Sequence, residues 1–326
     1  MTTTTMSDGP WNAIPSSNIR GEYKSILVSE DINPARHHLY WARGVKNHRA
    51  LLVEYEDDDN VDALPEFRNI NIEEDRGNRC IVLELLSEDM ADIFLKLCLD
   101  LISALQEASS DRIRKICILR LKRWMYFLRP GHAKLSPEAQ KGLIAELEFL
   151  QQDALDSLCP EDALNGWIGP EAGPRDYAYG QVFIEVKSKR SSANPTITIS
   201  SEDQLNTNPS ESLFLYVLEL NEAPSDKEDS FTITDVVEET RMSLDSPLDR
   251  ATLENKLAKV GYFDQDDYSD TKWSKGEVSY YVVTGDFPRI DSQTCDPGIS
   301  KVNYQIDLEY CNDYLVDRAD LLKAMG

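Results

Sequence analysis

Hydrophobic and polar positions along this 326-residue chain alternate between two periodicities. From Tyr23 to Leu85 short β-type runs dominate, such as Ala50-Leu51-Leu52-Val53-Glu54-Tyr55 and Cys80-Ile81-Val82-Leu83-Glu84-Leu85. Between them lies an acidic stretch, 54–62, which reads as a solvated hairpin or loop. Helical spacing then takes over and predicts helices over 87–107 and 109–128, the second ended by Arg129-Pro130-Gly131. A third helix opens at Ser136-Pro137-Glu138, with an N-cap serine, proline at the first helical position and an acid in the first turn. After a Gly/Pro-rich loop, 165–173, come strand-like runs at 181–188, 196–200 and 213–220. Capped helices near Thr234 and at Ser246-Pro247, then strands around 278–283 and 303–308, complete the pattern, with no internal repeat or heptad run.

This pattern predicts an α/β protein in four parts: a disordered leader (1–19), an N-terminal β-rich and helical lobe (20–135), a core (136–220) and a C-terminal α+β lobe (221–326). Residues 1–10 are polar and Thr-rich and do not read as a secretory signal. The greasiest stretch, 91–105, is broken by Lys96 and Asp100, so it reads as a buried or amphipathic helix and not as a membrane span. The six cysteines (Cys80, Cys98, Cys117, Cys159, Cys295, Cys311) form no C-x-x-C pair and read as structural thiols. A cytoplasmic protein without membrane contact is the expectation. Composition adds one complication. With 34 Lys plus Arg against 58 Asp plus Glu, the net charge of −24 opposes any role that coats nucleic acid by bulk charge, though not an enzyme with a local basic patch.

The segment 173–188 carries the most chemistry. Alternation in a strand sets Val182, Ile184 and Val186 on one face and Phe183, Glu185 and Lys187 on the other. Glu185 and Lys187 then stand about 7 Å apart, at a rise of about 3.3 Å per residue. Asp176 lies nine residues before Glu185, and a bend at Gly180 could return its carboxylate to that glutamate. Two carboxylates offer hard oxygen ligands to Mg²⁺, and a neighbouring lysine can orient water or stabilise developing charge. On the third helix Leu143, Leu147 and Leu150 form a stripe, with Glu146 beside it and Glu148 pointing away. Glu146 is either a surface helper or a third carboxylate delivered to the sheet. Downstream, Ser201 and Gln204 stand at capping-box spacing, so Gln204 is either a cap or a polar contact to phosphate and water.

In order along the chain, Gly142-Leu143-Ile144-Ala145-Glu146-Leu147, Trp167-Ile168-Gly169-Pro170, Asp176, Glu185-Val186-Lys187-Ser188 and Ile199-Ser200 with Gln204-Leu205 resemble a PD-(D/E)XK nuclease core. More narrowly, they resemble the poorly characterised bacterial PD-(D/E)XK motif family of restriction and phage-defence gene clusters, as do Phe287-Pro288-Arg289-Ile290 and 304–308. The resemblance covers about 136–310, with the specific motifs confined to 142–205. It implies a restriction-endonuclease-like core, a mixed sheet flanked by helices, spanning 136–220. It further implies Asp176, Glu185 and Glu146 as metal ligands, Lys187 as the catalytic lysine, Gln204 as an accessory polar residue and Mg²⁺ as cofactor, with Mn²⁺ as a substitute. The activity implied is DNA cleavage in restriction or anti-phage defence. One departure is visible: Arg175 separates Pro174 from Asp176.

A nuclease must hold a polyanion. Residues 112–134 carry eight basic residues and no acid, interleaved with Trp124, Tyr126 and Phe127. Arg114, Lys115, Lys122 and Arg123, helped by Lys189 and Arg190, are candidate DNA contacts; the other reading is a helix that neutralises the protein's own acids. The stretch 219–270, with fifteen acids against five bases, would face solvent or a protein partner such as another defence-cluster product. His37, His38, His48 and His132 lack metal-ligand spacing, and Walker A, G-x-G-x-x-G and G-x-S-x-G motifs are missing from the sequence. Two other readings stand beside the nuclease: a catalytically silent subunit of the same fold, and an acidic DNA mimic. A homodimer would suit cleavage of both strands of a duplex.

Overall fold

The computed structural model describes residues 9–28, 38–56, 62–131, 133–191, 195–224, 229–290, 296 and 298–326. The chain is a mixed α/β protein that divides into two compact units, Met1–His132 with Ser246–Ala258, and Ala133–Asp245 with Lys259–Gly326.

In the first unit β1 (Lys24–Leu27), β2 (Leu39–Arg43), β3 (Arg49–Glu54), β4 (Ile70–Asp75) and β5 (Cys80–Leu85) form an antiparallel sheet in the order β1-β2-β3-β5-β4. Helices α1 (Ala91–Leu105) and α2 (Ile113–Phe127) pack with it around a core of Leu51, Ile81, Phe94, Leu101 and Cys117. Two expectations change here. The leader is not disordered throughout: Trp11 and Ile14 are buried in this core, although residues 1–8 lie outside the described set. The Trp11 indole nitrogen donates to the Ala50 carbonyl at 2.8 Å, its ring meets Trp41 edge-on at 4.8 Å, and Arg43 Nε donates to its carbonyl. A polar, Thr-rich flank hid one large aromatic whose burial outweighs the polarity around it. Second, Ser246–Ala258 belongs to this unit and not to a C-terminal lobe, because Leu248 and Ala251 join the same core.

The second unit is built on a five-stranded mixed sheet. Its strands are β6 (Tyr177–Tyr179), β7 (Val182–Lys189), β9 (Ser212–Ala223), β10 (Lys272–Val282) and β12 (Leu315–Val316), in the order β12-β10-β9-β7-β6. β7 and β9 are parallel and the other pairs antiparallel. Residues 213–218 of β9 are buried without alternation, as a strand covered on both faces requires. This explains why 221–326 is not a separate lobe: β9 needs a neighbour on each side, and β10 supplies the second. β8 (Thr196–Ile199) and β11 (Tyr304–Asp307) make a separate two-stranded ribbon. Helix α3 (Pro137–Phe149) lies against β7 and continues through a π-helical turn, Leu150–Ala154. Its start is as the sequence predicts, with Ser136 Oγ accepting from the Ala139 N–H. Among the described residues no helix is long and apolar enough to cross a membrane. Five cysteines, Cys80, Cys98, Cys117, Cys159 and Cys311, are free, all but Cys159 buried; Cys295 lies outside the described residues.

Trp11→Ala should lower the stability of the first unit by about 3–5 kcal/mol, because a buried aromatic ring and an indole hydrogen bond are lost together. Urea denaturation would read this as a lower midpoint. A midpoint equal to that of the wild type would remove Trp11 from the core.

Candidate active site

The site grows from a hairpin. β6 and β7 pair with Tyr177 opposite Ile184 and Tyr179 opposite Val182, so Gly180 and Gln181 make the turn. Gly180 sits at φ +63°, a conformation that costs glycine least. Continued one residue further, this register sets Asp176 opposite Glu185, and Asp176 Oδ2 accepts the Val186 N–H at 2.7 Å. The bend thus returns the aspartate to the strand that carries Glu185 and Lys187.

On β7 the alternation follows the sequence. Ile184 and Val186 face the core side, and Glu185 and Lys187 share the other face. Glu185 is fully buried. Its Oε1 lies 2.5 Å from Lys187 Nζ, an ion-pair contact off hydrogen-bond geometry, and Oε2 has no partner among the described residues. Gln204 completes the lysine's surroundings: its Oε1 accepts from Lys187 Nζ at 3.4 Å and from the Ser200 N–H at 2.7 Å. No helix follows Ser201, because residues 202–205 form a turn, so the capping-box reading of Gln204 is replaced by this double contact.

Glu146 reaches the same place from α3. Its Oε2 accepts the Trp167 indole N–H at 2.6 Å, and its backbone carbonyl accepts the Tyr177 hydroxyl at 2.8 Å. Gly169 explains how helix acid and strand acid meet. A Cβ there would lie 3.1 Å from both Glu146 Oε2 and Asp176 Oδ1, so the absence of a side chain opens the room they share. Glu146, Asp176 and Lys187 line a cavity of about 710 Å³.

Crowded carboxylates in a desolvated site resist ionisation. Burial, then the neighbouring Asp176, push Glu146 up to about 8 against the Trp167 hydrogen bond. Burial raises Asp176, with Lys187 and the Val186 N–H opposing. Glu185 is raised well above its ordinary value, by burial and then by Asp176, with Lys187 opposing. Lys187 runs the other way: burial pulls its ammonium down, but the charges of Glu185 and Asp176 more than offset this and hold it protonated.

The remaining expected site residues fare differently. Arg114 is not on a DNA-facing surface: it is buried, and its guanidinium binds Glu74 at 2.6 Å, which holds that carboxyl at about 2. Arg123 is also committed, to Asp100 and to Glu254 at 3.1 Å, and Lys122 lies 3.9 Å from Asp62. Lys115 is half-buried on the same helix. The basic run therefore mainly neutralises the protein's own acids, and all of it but Lys134, which binds Asp270 at 2.8 Å, belongs to the first unit whereas Glu185 belongs to the second. Lys189 is bound to Glu219 at 3.0 Å; Arg190 is exposed and lines the cavity. Glu148 does not point to solvent, because α3 is buried on most of its surface; its carboxylate meets Lys275 at 2.8 Å. Arg175, which interrupts the Pro-Asp pair, lies over Phe183 at 4.3 Å and binds Glu211, away from the acids. The sequence reading missed Trp167 and Gly169 as site residues, and Lys141 entirely. The Trp-Ile-Gly-Pro run was visible, but nothing in spacing says which carboxylate an indole will meet.

Among the described residues no group of three His, Cys, Asp or Glu side chains is already gathered as a metal cage. The donor chemistry nevertheless fits a divalent cation. Three hard carboxylates with one ammonium leave two negative charges unbalanced if all ionise, and the unpartnered buried Glu185 Oε2 is an available ligand.

A hairpin aspartate, a buried E-x-K strand and a helix acid thus lie close together in the second unit. A family model described as "Putative PD-(D/E)XK family member, (DUF4420)" matches residues 8–309, and the chain belongs to that family. No curated protein and no solved structure matches it.

Glu146 makes the metal-free protein sensitive to pH. Its folded-state pKa lies above the unfolded value, so its stabilising contribution is complete below about 4.5 and lost as pH rises towards about 8. Glu146→Gln should flatten this decline in part and be the more stable protein at about pH 9 in chelator. Denaturant midpoints at about pH 5 and about pH 9 test it; parallel declines in both proteins would remove Glu146 as a source.

Proposed function

We propose that this protein is a Mg²⁺-dependent DNA endonuclease, with Mn²⁺ as a substitute, whose restriction-endonuclease-like core is the mixed sheet of the second unit with α3. The observation that carries this reading is the buried Glu185 carboxylate, whose Oε2 has no hydrogen bond among the described residues and whose Oε1 is paired with Lys187. Asp176, Glu185 and Glu146 would hold the ion. When bound, the cation would polarise the scissile phosphate and acidify a water. Lys187, kept protonated by its acidic neighbours, acts as a charged donor towards the developing negative charge and not as a base. Gln204 holds that ammonium at the cavity wall. Trp167 fixes the carboxylate of Glu146 towards Asp176.

An acidic DNA mimic would need these groups dispersed; here one hairpin and one strand gather them, which disfavours it. The setting in restriction or anti-phage defence rests on the family resemblance, a cytoplasmic location on the sequence's thiols and on a start that does not read as a secretory signal, and a homodimer on the geometry of duplex cleavage. A silent subunit is separated by assay. Glu185→Gln and Lys187→Ala should each lower Mg²⁺-dependent cleavage of duplex DNA by at least about 100-fold while retaining the wild-type circular dichroism spectrum. Chelator should abolish cleavage, and Mg²⁺ or Mn²⁺ restore it. If both variants cut as fast as the wild type, the site lies elsewhere.

A further inference from the structure

The cavity over the acids has a second chemical character at its rim. Lys141, on α3, and Arg190, just beyond the end of β7, both line it. Neither forms a hydrogen bond or an ion pair with any described residue, in a protein where Lys189, Lys275 and Arg175 each hold a carboxylate. Lys141 is half-buried, and it lies close enough to Arg190 that burial and then the guanidinium push its ammonium below the ordinary value, against the pull of Glu138 at the same rim. Two cations left together with no hydrogen bond or ion pair to a described residue, and only the more distant charge of Glu138 beside them, are an unfavourable arrangement in a chain carrying −24 unless an anion joins them. The facing wall is neutral and polar. Thr196 and Thr198 present the exposed face of β8, and Gln305 lies opposite Thr198 across the ribbon.

From this we infer that Lys141 and Arg190 form a phosphate-binding subsite for the DNA strand, next to the scissile phosphate, with the Thr196/Thr198/Gln305 wall hydrogen-bonding the same backbone. The inference rests on the nuclease reading and sharpens it: the strand is tracked by its phosphates at this rim. Side chains of these types bind phosphate and sugar without reading sequence. It also replaces part of the expected DNA surface. Lys189, one residue before Arg190, is spent on Glu219, and Lys141 takes the position facing Arg190.

The test uses the full chain carrying Glu185→Gln, so that bound DNA is not cut, and a fluorescent duplex of about 20 base pairs read by anisotropy over a salt series. Lys141→Gln and Arg190→Gln should each weaken binding roughly tenfold and reduce the slope of log K against log salt by about 0.9, with Lys141→Arg retaining both. Since neither cation forms a hydrogen bond or an ion pair with a described residue, both variants should melt no lower than their parent at low salt. Unchanged affinity and slope in both variants overturn the subsite and leave the nuclease reading standing. A melting temperature that falls together with affinity assigns the residues a structural role and overturns it as well. If the parent binds no DNA and the unsubstituted protein cuts none, both inferences fall.

Discussion

Three carboxylates and one ammonium share one desolvated corner of the second unit, and the placing of Lys187 decides whether that corner can exist. An isolated buried carboxylate costs several kcal/mol, and three together would repel one another as well. Lys187 contacts Glu185, lowers the cost of ionising Asp176 and Glu146, and is itself kept charged by them. The balance is incomplete, because one cation cannot neutralise three acids. Burial raises all three acids, with Asp176 adding to the rise at Glu146 and Glu185, and the residual deficit would favour further positive charge at the site.

Everything around the corner serves to hold these groups at fixed positions. The hairpin at Gly180 brings Asp176 beside Val186, and the bare Cα of Gly169 lets Glu146 and Asp176 approach one another. Trp167 contributes twice, by its indole hydrogen bond to Glu146 and by stacking on Tyr177, whose hydroxyl ties down the backbone carbonyl of Glu146. The acid on the helix is therefore positioned through side chain and main chain together. Such double fixation is what a site needs when its charges cannot relax outward into water.

Much of the site was legible because strand alternation and helical spacing are local rules. Val182, Ile184 and Val186 on one face with Glu185 and Lys187 on the other follow from a period of two. The capped start of α3 followed from Ser136-Pro137-Glu138 alone. What could not be read was longer in range. Trp11 looked like part of a polar leader until the sheet gave it a core to enter. The segment Ser246–Ala258 looked like part of a C-terminal lobe because chain order says nothing of which core Leu248 will join. Arg114 and Arg123 looked like a phosphate surface because their partners, Glu74 and Glu254, lie 40 and 131 positions away. Linear charge counting sees the run of bases and misses the acids that the fold brings to it.

The same reasoning changes what net charge can mean here. A chain at −24 gains most by pairing each buried cation with one of its many acids, and Arg114, Arg123, Arg175 and Lys189 do so. Pairing is the expected fate of a base in this protein, so two cations with no hydrogen bond or ion pair among the described residues carry more information than a run of eight in sequence. Lys141 and Arg190 are such a pair, and they line the cavity that holds the uncompensated acids. Opposite charge excesses a short distance apart, acids within and bases at the rim, suit a ligand that is itself anionic and arrives together with a cation. A phosphate chain with a divalent ion meets both requirements, whereas a purely acidic partner would satisfy the rim alone and a bare cation the interior alone.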